Sequence, residues 1–150
     1  MTKQRVSEKR DATAFPVTIF YDASCPVCAS EIGALASRDG RCNLRMVDCS
    51  APAFDAASLG RPGLSRSRML EALHARDSNG RWFEGIDAFA IAYGCAGMTR
   101  VAGLLRHPLA KPLLSYLYPW VARHRFALSR TGLPAWFDRC VRRDGRPRGR

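Results

Sequence analysis

Apolar residues fall into runs whose spacing changes along the chain. Residues 17–21, "VTIFY", form an unbroken β-branched and aromatic run, which predicts a buried strand. From Pro26 the pattern becomes Ala-rich, with apolar residues at 27, 32 and 35 and Glu31 in the first turns. That spacing predicts a helix with proline at its first position, ending near Gly40. Alternation returns in "NLRMVDC" at 43–49, with Leu44, Met46 and Asp48 on one face, so a second strand follows. Strand, helix and strand in this order make a β-α-β unit, with parallel strands and a right-handed crossover.

Residues 50–66 read as loop with short helical turns. An Asn79-Gly80 pair between Leu73–Arg76 and Arg81–Glu84 predicts a hairpin, while Leu70 to Leu73 fit either helix or strand. "IDAFAIAYGCAG" at 86–97 predicts a helix ended by Gly97. The expected fold is therefore α/β, with a thioredoxin-like β-α-β-β-β-α core. Residues 98–137 add a helical segment, broken by Pro108, Pro112 and Pro119 into two or three short pieces that cap the sheet edge. Its aromatic residues Tyr116, Tyr118, Trp120 and Phe126 lie among Arg123, His124 and Arg125. A second reading of this segment is a basic amphipathic surface for membrane or partner contact.

The hydrophobic fraction of 47% over 150 residues is that of one folded domain with its own core. The formal charge of +11 raises the question of nucleic acid. Residues 1–11 contribute +2 and residues 138–150 contribute +4, leaving +5 over a body without a basic run. The expected organisation is a disordered basic tail at 1–12, a thioredoxin-like domain with its helical cap at 13–137, and a disordered Arg-rich tail at 138–150. The charge is read as favouring solubility and weak attraction to anions, not specific nucleic-acid binding. No stretch reaches the roughly 20 apolar residues of a membrane-spanning helix. The N-terminus lacks an apolar core of the secretory type, so the expected location is the cytoplasm.

That location bears on the six cysteines, at 25, 28, 42, 49, 95 and 140. In a reducing compartment thiols stay reduced unless they serve redox chemistry or metal. Cys25 precedes the first helix and Cys28 lies one turn inside it. Unpaired N–H groups at a helix start favour negative charge, and a thiolate is the nucleophile of disulfide exchange. Cys25 is thus the expected attacking thiol and the more exposed of the two, with Cys28 positioned to resolve a mixed disulfide. Asp22 either handles a proton for this pair or caps the helix. A zinc site needs two further ligands. Cys42 and Cys49, at opposite ends of a strand, lie roughly 23 Å apart at ~3.3 Å per residue, and the histidines lack zinc spacing. "TIFYD" also resembles the opening of a haloacid-dehalogenase-type phosphatase, but Ser24 stands where a second acid is required. Two further readings stay open as alternatives: a zinc-binding structural protein, and a non-catalytic binding module using the basic helical surface.

Taken together, "FYDASCPVCASEI", "LRMVDCSAPAFD", "LHARDSNGRWFEGIDAF" and "LYPWVARHRF" resemble the DCC family, predicted thiol-disulfide oxidoreductases of thioredoxin-like fold. The resemblance runs over about residues 17–128. It implies that Asp22, Cys25 and Cys28 are the motif residues and that the activity is thiol-disulfide exchange. The substrate would be a protein or small-molecule thiol or disulfide, served by an unidentified reductase, and no cofactor or metal is called for. Three departures stand out. Ala23 replaces a usual glycine, Cys49 replaces a usual aliphatic residue, and no proline precedes the third strand, where thioredoxins place the cis-proline of their substrate groove. Parallel strands would bring Cys49 to the dithiol edge as a third thiol and leave Cys42 at the far edge.

Overall fold

The computed structural model describes residues 13–39 and 43–131. The expected tails, residues 132–137 of the expected domain, Cys42 and Cys140 lie outside these residues. Strand β1 (Val17–Tyr21) leads through helix α1 (Pro26–Arg38) to strand β2 (Leu44–Asp48). The two strands are parallel, with Val17 opposite Leu44 and Tyr21 opposite Asp48. After a short 3-10 turn at Ala57–Leu59 and helix α2 (Arg66–Glu71), strands β3 (His74–Arg76) and β4 (Trp82–Glu84) form an antiparallel hairpin. β3 also pairs antiparallel with β1, giving the order β2-β1-β3-β4. Helices α3 (Ile86–Cys95), α4 (Thr99–Arg106) and α5 (Ala110–Leu128) and a 3-10 turn at Ser129–Thr131 complete the described chain. This mixed α/β architecture is compatible with a thioredoxin-like fold.

The hairpin sits where Asn79-Gly80 predicts it. Gly80 adopts a φ of 81°, and the Asp77 carboxylate accepts from the N–H groups of Asn79 (3.0 Å) and Arg81 (2.8 Å). The ambiguous stretch divides cleanly, since Leu70 belongs to α2 and the strand begins at His74. Alternation along β1 separates two apolar layers. Val17 and Ile19 face α1 and α3, packing with Ile32, Leu35, Ala88 and Ile91. Phe20 faces the other way, into a smaller cluster with Cys49 and Met69.

The proline-rich segment divides at Pro108 as expected, but its second piece is longer than expected. It forms one eight-residue helix and one of nineteen residues, the second running through Pro112 and Pro119. Pro112 falls in the first turn, where a backbone N–H has no helical partner to lose. Pro119 and Ser115 are exposed, so the carbonyl freed by Pro119 can turn to water. Lys111, Tyr118 and Arg125 are spaced by seven residues, almost two turns, and so lie on one face of α5. All three bond to the body: Lys111 to Asp87 (2.7 Å), Tyr118 Oη from the Leu73 N–H (2.8 Å), and Arg125 to Asp22 (2.7 Å). Tyr118 also meets Phe89 edge-on at 5.7 Å. Its ring leaves no comfortable room for a Cβ on Gly85, whose φ of 59° already favours glycine.

Tyr118→Phe keeps the ring and removes the acceptor for the Leu73 N–H. It should cost on the order of 1–2 kcal/mol in urea denaturation. An unchanged midpoint would show that this bond does not anchor α5.

Candidate dithiol site

The site forms where β1 and β2 end side by side. Each strand closes with the same three-residue pattern, Asp22-Ala23-Ser24 and Asp48-Cys49-Ser50. Asp22 Oδ1 accepts from the Ser24 N–H (3.0 Å) and hydroxyl (2.5 Å). Asp48 Oδ1 accepts from the Ser50 N–H (2.8 Å) and hydroxyl (2.6 Å), and also from the Ala23 N–H (3.1 Å). The second aspartate thereby clamps the turn that leads from β1 into α1. Burial works against the Asp48 charge, but the bonds from Ser50 and Ala23 and the nearby Arg66 outweigh it, holding the carboxyl below its usual range. Asp48 was not singled out from sequence, although the repeated Asp-x-Ser pattern was there to be read.

The turn delivers Cys25 to the N-cap of α1, with Pro26 at the first helical position and Cys28 one turn on. The expected exposure is reversed: Cys25 is fully buried at 0%, and Cys28 is the partly exposed thiol. Burial first, and then the neighbouring Cys25 side chain, push the Cys28 thiol well above the ordinary thiol range.

The Asp22 side chain bonds to Ser24 just before α1 rather than to an N–H of the helix. Its second oxygen instead meets Arg125 Nη2 at 2.7 Å, and both side chains are largely withdrawn from water, at 4% and 16% exposure. Arg125 was read only as part of a basic surface, yet it lines a narrow, mostly apolar cleft with Asp22, Cys28, Glu31 and Tyr118. Glu31, one turn beyond Cys28, accepts a 2.6 Å bond from the Tyr93 hydroxyl. Burial pushes its carboxyl up to about 7, with the Tyr93 bond pulling the other way. In sequence Glu31 looks like any acid in the first turns of a helix.

Cys49 shares the sheet edge but not the face. Its N–H bonds to the Tyr21 carbonyl at 2.8 Å, continuing the parallel ladder, while its side chain packs with Phe20 and Met69 opposite α1. Burial, together with Asp48 and Asp22, raises its thiol to about 12. The expectation of a third thiol beside the dithiol is therefore corrected: alternation turns it into the second apolar cluster. Ahead of β3, where no proline stands, Ala72 is extended, and the following N–H, that of Leu73, is taken by Tyr118. Among the described residues no group of three or more His, Cys, Asp or Glu is arranged to hold a metal ion, and no helix is long and apolar enough to cross a membrane.

Comparison with known proteins gives this geometry a family. The model of the DCC1-like thiol-disulfide oxidoreductases matches residues 19–131, taking in the strand end, the dithiol helix and α5. The chain belongs to that family. It is also similar to an uncharacterized chloroplastic protein of Arabidopsis thaliana, 27% identical over 120 residues. That match covers 79% of this chain and 54% of the relative, so the chain spans about half the length of the curated protein it matches. No solved structure matches. The DCC1-like match extends through Arg125, so the ion pair and the dithiol fall within the same family region.

The Asp22–Arg125 pair gives a direct test. Arg125→Gln strands a buried carboxylate and should cost on the order of 3 kcal/mol in chemical denaturation. Asp22→Asn in the same chain should recover most of that loss. A single-variant loss below about 1 kcal/mol would place the pair with ordinary surface ion pairs.

Proposed function

We propose that the chain performs thiol-disulfide exchange through Cys25 and Cys28. The observation that carries this reading is the placement of the two thiols at the start of α1, Cys25 at the N-cap and Cys28 one turn on. Unpaired N–H groups at a helix N-terminus favour negative charge, and a thiolate is the nucleophile of disulfide exchange. Cys25 attacks a substrate disulfide, forming a mixed disulfide and releasing one substrate thiolate. Cys28 then loses its proton and attacks Cys25 Sγ, forming the Cys25–Cys28 disulfide and releasing the second substrate thiolate. Two electrons pass from the dithiol to the substrate, and an external reductant thiol restores the reduced pair.

We assign the Cys28 proton to Glu31. It lies at the i+3 position on the same helix face and lines the same cleft. Its carboxylate takes that proton during resolution and returns it to the leaving thiolate, with Tyr93 fixing its orientation. Asp22 acts as a positioning residue: both oxygens are engaged, by Ser24 and by Arg125, and the turn they hold sets the Cys25 backbone. The substrate is a protein or small-molecule thiol or disulfide in a compartment with its own reductase, and Cys25 becomes accessible to it only when its cover shifts.

The partly exposed Cys28 supports a second reading with the two roles exchanged, and trapping separates them. Cys28→Ser should accumulate mixed disulfides with Cys25 and Cys25→Ser should not; the opposite pattern would exchange the roles. Glu31→Gln should slow resolution about tenfold or more. The wild-type rate should rise through pH of about 7 as Glu31 ionises, and the variant should lose that inflection. A retained inflection in stopped-flow measurements would remove Glu31 from the proton path.

A further inference from the structure

The face of α5 opposite its three anchors faces solvent. Leu109, just before the helix, and Leu113, Tyr116, Leu117 and Trp120 recur at helical spacing, about half a turn around from Lys111, Tyr118 and Arg125. All five are exposed, Tyr116 by 82% and Trp120 by 57%. The Trp120 indole stacks on His124 at 4.6 Å, and the His124 ring bonds back to the Trp120 carbonyl, so the outward tryptophan is held in place. Of the nineteen residues of α5 none is buried, so this helix covers the dithiol with one face and presents an apolar stripe on the other.

Charge completes the pattern. From Ala88 to Phe137 the chain contains no Asp or Glu. Residues 99–131 carry six Lys or Arg, of which Arg100, Arg106, Arg123 and Arg130 are exposed. Residues 1–98 nearly balance, with twelve basic against eleven acidic side chains. The net positive charge of this protein is thus concentrated in its C-terminal third.

We propose that α5 docks flat on an anionic phospholipid membrane surface, with Leu113, Tyr116, Leu117 and Trp120 entering the interface and the flanking arginines meeting lipid headgroups. Apolar burial and headgroup attraction act together in such binding, and Trp and Tyr favour the interfacial depth. A second copy of the same face would bring like charges together, which disfavours self-association. Nucleic acid would satisfy the arginines and leave the leucine stripe unused. Docking would hold the dithiol cleft, beneath the opposite face of the helix, near the membrane surface.

The test uses the full chain with sedimented vesicles at physiological salt, phosphatidylcholine with or without phosphatidylglycerol. Binding to the anionic vesicles should exceed binding to neutral ones about tenfold or more. The variant Leu113→Ser/Leu117→Ser/Trp120→Ser should lower anionic binding by a similar factor while dithiol exchange in solution is unchanged. If the triple variant loses its fold by circular dichroism, Trp120→Gln alone serves, with a severalfold loss expected. No binding to anionic vesicles overturns the proposal. So does equal binding by wild type and variant, which would assign the attraction to the basic residues alone. A solution dimer abolished by the same substitutions also overturns it, by showing that a second copy covers this face.

Discussion

A carboxylate withdrawn from water at the end of a strand has to be met on both oxygens, and that requirement at Asp22 organises this molecule. One oxygen is satisfied locally, by Ser24, which curls the chain so that the next residue begins α1. The other is satisfied by Arg125, 103 residues away, which obliges α5 to cross the sheet edge where the dithiol lies. Leaving either partner out would strand a charge in a poorly hydrated site. The turn, the thiol and the covering helix are therefore parts of one arrangement.

Chemistry and restraint are divided between elements. Helix α1 and its N-cap carry both thiols and Glu31 within about two turns, so one short element sets their spacing. Helix α3 contributes Tyr93, which holds the Glu31 carboxyl, and α5 contributes Tyr118 and Arg125, which close the cleft. A site built on one rigid element and trimmed by two others can change its access by small movements of α5 without disturbing the distance between the sulfurs.

What could be read from sequence follows the range of the forces involved. The β-α-β unit and the hairpin were legible because periodicity, Pro26 and Asn79-Gly80 act over a few residues. The parallel pairing of β1 and β2 follows from the crossover and holds in the structure. The continuity of α5 through two prolines was not legible, because tolerance of Pro119 depends on the solvent beside Ser115. Nor was the burial of Cys25, which is set by tertiary packing and not by its neighbours in sequence. Arg125 was hidden among other basic residues, and only the seven-residue spacing with Lys111 and Tyr118 marks it out. For Cys49, alternation from Leu44 and Met46 already implied the face opposite α1. Knowing which strand ends meet did not fix which way the side chain pointed.

The long reach of the Asp22–Arg125 contact also bears on how the chain comes together in time. A chain emerging from its N-terminus presents the β-α-β unit first, when no Arg125 exists to receive Asp22. In that interval the Asp22 carboxylate can stay hydrated only if the strand end remains loosely packed, so the thiols are open to solvent and to other chains. Contacts of such separation in sequence form late and slowly. The half-built domain thus passes through a stage in which Cys25 and Cys28 are least protected, and the arrival of α5 ends it.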